Sequence, residues 1–143
     1  MNIKMTYATK TGNSKKIAGH VAGKLSISAD PAKDYPVYEN VDLLFIVGGI
    51  YRGKSLPELV DFVRTLNPEK VKKVALITSS LSNKMFQESI REIAAEKGIK
   101  IADEFLCQGK FLFFGLGHPN LKEMDDAAAF AAGTVAKLSA HSK

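Results

Sequence analysis

Between an apolar run and an amphipathic stretch near the amino terminus stands Ala8-Thr9-Lys10-Thr11-Gly12-Asn13-Ser14. Three hydroxyls (Thr9, Thr11, Ser14) and the Asn13 carboxamide are crowded together here, Gly12 permits a tight turn, and the single charge, on Lys10, is positive. Where a helix begins, its first amide N–H groups lack carbonyl partners and lie at the positive end of the helix dipole. Such a terminus binds anions, and a loop with no carboxylate suits a phosphate monoester. Helix capping accounts for one such side chain, not for the whole group.

Two further stretches carry chemistry-bearing residues. Gly48-Gly49-Ile50-Tyr51-Arg52-Gly53-Lys54-Ser55 satisfies the G-x-x-x-x-G-K-S pattern of nucleotide-binding loops, in which Lys54 would reach terminal phosphates and Ser55 a magnesium ion. The context opposes that reading. No later apolar run ends in an aspartate to steady the metal, since Val74 to Ile77 leads into Thr78-Ser79-Ser80, and the first loop would have no purpose. The third stretch, Thr78-Ser79-Ser80-Leu81-Ser82-Asn83-Lys84, offers short polar side chains and also reads as a helix start capped by Ser82 or Asn83.

These stretches need a frame, and apolar runs alternate with helical patterns along the chain. Strands are predicted over Asn2–Ala8, Ser26–Ser28, Asp42–Gly48, Val71–Thr78 and Ile99–Cys107. The unbroken run Leu43-Leu44-Phe45-Ile46-Val47 fits a central parallel strand buried on both faces. Helices are predicted from Ser14 to Leu25, from the capping-box spacing Ser55-Leu56-Pro57-Glu58, around Phe86–Lys97 with Gly98 as the stop, and over Leu121–Leu138. Gly19 and Gly23 weaken the first helix by about 1 kcal/mol each and are expected to let it pack close to the sheet. The whole predicts one α/β domain over residues 1–143: an open five-stranded parallel sheet, order 2-1-3-4-5, with helices on both faces. Ligands then bind beyond the carboxyl ends of the strands, where all three stretches fall.

The segment Met5-Thr6-Tyr7-Ala8-Thr9-Lys10-Thr11-Gly12-Asn13-Ser14 resembles the phosphate loop of the flavodoxin family, Thr/Ser-x-Thr-Gly-Asn-Thr/Ser after an apolar strand ending in Tyr or Phe. The second stretch is similar to that family's Gly-x-x-x-aromatic/Met-Gly-Asp loop, followed here by Glu58-Leu59. The resemblance implies a flavodoxin-like fold and FMN as cofactor. It implies phosphate contacts from Thr9, Lys10, Thr11, Gly12, Asn13 and Ser14. It implies ring contacts from Gly49, Ile50, Tyr51, Arg52, Gly53 and Lys54 on one side and from Thr78, Ser79, Ser80, Leu81 and Asn83 on the other. Gly53 falls on the glycine whose peptide turns toward flavin N5.

Two positions depart from the family. Arg52 stands where a ring-stacking side chain is usual, with Tyr51 one place earlier, so either the Tyr51 ring or the Arg52 guanidinium plane covers the flavin. Lys54 replaces the usual aspartate, and with Arg52 and Lys84 nearby a less negative lower flavin potential is expected than in acidic relatives. The apolar run Phe111–Leu116 is read as core, as a lid, or as a docking patch.

Composition fits a soluble carrier. Apolar residues make up 45% and charged residues 24%, an ordinary globular balance. Cys107 is the single cysteine, which excludes an internal disulfide and predicts a buried strand thiol; His20, His118 and His141 are too dispersed to suggest zinc. No run is long enough to span a membrane and no signal segment is recognised, so a cytoplasmic location is expected. Net charge is +5, with 17 lysines and three arginines, and no nucleic-acid motif accompanies it. A basic surface favours redox partner proteins with acidic docking surfaces. With no acid–base pair or nucleophile in view, an electron carrier is the first reading. The alternatives are a flavin reductase or oxidase acting on a quinone, porphyrin or tetrapyrrole, a P-loop nucleotide-binding protein, and a module that has lost its cofactor. Oligomeric state is left open.

Overall fold

A computed structural model describes residues 1–51, 53–80, 87–108 and 120–141. Along the chain run β1 (Ile3–Ala8), α1 (Asn13–Leu25), β2 (Ala29–Pro31), a 3-10 turn at Ala32–Asp34, β3 (Leu43–Tyr51), β4 (Lys54–Ser55), α2 (Pro57–Arg64), β5 (Lys73–Ser80), α3 (Glu88–Lys97), β6 (Lys100–Gln108) and α4 (Leu121–His141). The strands are ordered β2-β1-β3-β5-β6, all parallel, with the two-residue β4 folded antiparallel onto the end of β3. Setting β4 aside, this is the expected 2-1-3-4-5 sheet.

Alternation along β3 explains why helices cover both faces. Leu44 and Ile46 join a core with Leu59, Phe62 and Val63 of α2 and Ile90, Ile93 and Ala94 of α3. Leu43, Phe45 and Val47 point the other way, onto Ile17, Ala18 and Val21 of α1 and Ala127, Ala128 and Ala131 of α4. Leu43 through Val47 are wholly buried. At about 1.5–3 kcal/mol for each large apolar side chain removed from water, this strand is the sheet's main anchor.

Several expectations are corrected. The edge strand lies at Ala29–Pro31, not Ser26–Ser28, because Ser26 ends α1 in the left-handed conformation (φ 56°) and its amide returns to Gly23. The Ser55–Glu58 capping box does not form. Ser55 is drawn into β4 opposite Ile50, Leu56 becomes the N-cap of α2, and no side chain caps it. A reciprocal box forms instead at α4. The Asn120 amide donates to Glu123 Oε1 (2.9 Å), and the Glu123 amide donates to Asn120 Oδ1 (2.8 Å). Gly19 and Gly23 face solvent, with open space where a Cβ would stand, so close packing to the sheet is not their role.

Gly98 and Cys107 stand where they were expected. Gly98 stops α3 at φ 76°, and Cys107 is buried in β6. Its thiol is pushed up to about 12, by burial first and then by Glu123 and Asp126. Among the described residues, no helix is long and apolar enough to cross a membrane, and no three His, Cys, Asp or Glu side chains cluster as metal ligands would. Phe86 and the 111–116 run lie outside the described residues.

Candidate functional site

β1 ends at Ala8 and the chain turns through Thr9–Gly12 into α1. Gly12 is the N-cap, at φ 92°, a conformation glycine adopts without the penalty of a Cβ. Its amide donates to Thr9 Oγ1 (2.9 Å), and the Lys16 amide closes the first helical bond onto the Gly12 carbonyl (3.0 Å). The amides of Thr11, Asn13, Ser14 and Lys15 have no acceptor among the described residues. Beneath them Ser14 is wholly buried, and its Oγ has no hydrogen-bond partner among the described residues. Free amides, an unpartnered buried hydroxyl and the positive end of a helix dipole coincide, with no carboxylate anywhere in residues 1–29. This donor set fits the dianionic phosphate of FMN.

The second stretch proves to be the end of a strand and a tight hairpin. Gly49, Ile50 and Tyr51 continue β3, while Tyr51 and Ile50 pair with Lys54 and Ser55 across a turn containing Gly53 at φ 78°. That pairing removes the P-loop reading, because a nucleotide cradle needs these amides free and Ser55 is buried. Tyr51 folds back over Gly49, where a Cβ would come within 2.9 Å of the phenol oxygen and 3.0 Å of the ring. Its hydroxyl accepts the Lys10 amide proton (3.3 Å), and Lys10 Nζ lies 5.8 Å from the ring centroid. Tyr51 thereby joins the first two loops.

The third stretch begins inside β5. Gly48 pairs with Thr78 and Gly49 with Ser79, which brings Thr78, Ser79 and Ser80 beside the hairpin. Thr78 is wholly buried and its hydroxyl accepts from Gln87, so it supports the site from beneath. Ile50 and Lys54 border a groove of about 490 Å³ against Val60, Asp61 and Glu88, on the flank of the hairpin. Arg52, Leu81 and Asn83 lie outside the described residues. The sheet thus gathers Thr9–Ser14, Gly49–Tyr51, Gly53 and Thr78–Ser80 at the carboxyl ends of β1, β3 and β5. Gln87 was not singled out from sequence. A lone glutamine before a helix carries no local signal, and only the tertiary fold puts it under the loops.

A parallel α/β sheet with free helix-start amides at its first turn places the chain in the doubly wound class, whose ligands bind beyond the carboxyl ends of the strands. The family model of the flavodoxin domain matches residues 4–113. No curated protein matches the sequence. Among solved structures, a flavodoxin from the domain Archaea shares 15% identity over 97% of this chain and 99% of its own, with a TM-score of 0.65. A short-chain flavodoxin associated with a PDU bacterial microcompartment shares 16% over 96% of this chain and 99% of its own, TM-score 0.67. Rubredoxin oxygen:oxidoreductase from Desulfovibrio gigas shares 11% over 97% of this chain but only 36% of its own, TM-score 0.69. At such identities the structures share the fold. The chain belongs to the flavodoxin family, whose members bind FMN and transfer electrons with it.

Proposed function

We propose that this chain is an electron carrier that holds one FMN and exchanges electrons with redox partner proteins bearing acidic docking surfaces. Bound FMN supplies the electron chemistry; the protein supplies binding, orientation and electrostatics. The amides of Thr11, Asn13, Ser14 and Lys15, with the hydroxyls of Thr9, Thr11 and Ser14 and the Asn13 carboxamide, hold the phosphate. Tyr51, Arg52 and Gly53 meet the ring, and Ser79, Ser80 and Leu81 line its other edge. The exposed lysines at the first two loops, Lys10, Lys15, Lys16 and Lys54, face an acidic partner.

The observation that carries this reading is the Ser14 hydroxyl, buried and without a partner among the described residues, beneath free helix-start amides. Absorption spectra of the purified protein with and without added FMN test it. A yellow protein that quenches flavin fluorescence is expected, as is loss of flavin when Thr11 and Asn13 are both replaced by glutamate. A colourless protein indifferent to FMN, or a double variant that keeps its flavin, would overturn the assignment. Turnover of a quinone without any acceptor protein would instead favour a reductase.

A further inference from the structure

We propose that Gln87 is a positioning residue for the flavin: its buried carboxamide sets the spacing of the strand ends from which the second and third loops depart. The inference rests on the FMN reading above.

Gln87 is wholly buried. Its Nε2 donates to the Ile46 carbonyl (3.3 Å), the Ile77 carbonyl (3.1 Å) and Thr78 Oγ1 (3.3 Å). These acceptors also fix the amide's orientation, since the reverse rotation would set Oε1 against two carbonyl oxygens. Oε1 therefore lies toward Gly48, where a Cβ would stand 2.9 Å from it and 2.6 Å from Leu59 Cδ2. Among the described residues Oε1 has no donor. The Gln87 backbone carbonyl accepts the Arg91 amide (3.0 Å), so the same residue begins α3.

Three segments meet at this one side chain. β3 passes it at Ile46–Gly48, just before the hairpin; β5 passes it at Ile77–Thr78, just before Ser79 and Ser80; α3 starts from it. An apolar side chain of equal size would fill the space and remove the unpartnered Oε1, but it would take the donor away from Thr78 Oγ1 and from the Ile46 and Ile77 carbonyls. What it would lose is the tie between two adjacent strand backbones at the point where both leave the sheet. Side chains that orient a site from behind have their effect through geometry, and small displacements there are costly. Gly48 belongs to the same device, because any larger residue would push the carboxamide off its carbonyls.

Two variants and two ligands test the idea. In Gln87→Met the donors vanish and volume is kept; in Gln87→Glu the shape is kept, and only the neutral acid can donate to a strand carbonyl. FMN and riboflavin are titrated into each variant, into wild type and into Ser14→Ala, with visible circular dichroism of the bound flavin recorded alongside. Gln87→Met is expected to weaken both flavins by about tenfold or more, equivalent to roughly 1.4 kcal/mol, and to change the flavin dichroism. Ser14→Ala should weaken FMN alone. Gln87→Glu should bind well at low pH and progressively worse as its carboxyl ionises, a profile wild type does not show.

Unchanged flavin affinity and dichroism in Gln87→Met, with only a lowered melting temperature, would overturn the proposal and leave a purely structural glutamine. So would a loss confined to FMN, which would place the effect in the phosphate subsite. If Gln87→Met does not fold, the pH profile of Gln87→Glu decides, and a flat profile across the range where the variant is folded overturns the proposal. Wild type that takes up neither flavin would instead bring down the FMN reading, and this inference with it.

Discussion

Ser14 buries a hydroxyl that no group among the described residues answers. Leaving such a group unsatisfied costs about 1–3 kcal/mol, so the flavin-free protein tolerates Ser14 rather than gaining from it. Ser14→Ala is accordingly expected to raise the melting temperature of the apoprotein while weakening FMN by about tenfold or more, the loss of a hydrogen bond to a charged group. Riboflavin, lacking the phosphate, should bind the variant as it binds wild type; paired titrations and a thermal melt check both halves. Residue types alone made this loop legible, because hydroxyls, an amide and a glycine without acids have one common chemistry. Gln87 was illegible for the opposite reason. Its partners lie on β3 and β5, the former 41 residues away along the chain, and no spacing rule reaches across that separation.

At the scale of elements, local signals succeeded where nothing competed with them. The Gly98 stop and Pro57 in the first turn of α2 stand as expected. Ser55-x-x-Glu58 misled, since strand pairing with Ile50 claimed Ser55 first, whereas Asn120-x-x-Glu123 met no competitor and formed the box. β3 outran its predicted end by three residues because the hairpin gave Ile50 and Tyr51 an antiparallel partner. Gly19 and Gly23 remain exposed, and nothing among the described residues crowds the place of a Cβ at either. Replacing either with alanine is expected to stabilise the protein by roughly 0.5–1 kcal/mol, read from urea unfolding.

The amino-terminal edge of the sheet carries a pH dependence. Asp42 Oδ2 accepts the Asn2 amide (2.7 Å), and this bond, followed by Lys72, holds the carboxyl below its ordinary 3.8. A depressed folded-state value gives stability that is present above the unfolded value and lost as pH falls through the folded one. Asp42→Asn should therefore be less stable than wild type at neutral pH. That deficit should shrink below about pH 4, with urea midpoints at several pH values as the measurement.

For the whole molecule, the clearest departure from an acidic carrier is the sign of its charge. The first acid in the chain is Asp30, after five lysines, and Lys10, Lys15, Lys16 and Lys54 are exposed at the end that holds the loops. Positive surroundings favour an anionic form of a bound group. The lower of the two flavin potentials is expected to be less negative than in acidic family members, and a redox titration giving a strongly negative value would count against it.

The register of the sheet has a kinetic consequence. Ile3 is aligned with Leu43, and Lys73 with Lys100, so every strand pair of the main sheet waits on closure of a long crossover. Such non-local pairing makes refolding slow, with loop entropy spent before contacts form. β3 and β5 share the longest buried seam and are expected to lead; conservative truncations there, such as Ile46→Val, should slow refolding in stopped-flow experiments, while truncations in α1 chiefly hasten unfolding. The turn after β1 would then take shape only once the central seam has closed, leaving newly made chains unable to capture their cofactor until late in their maturation.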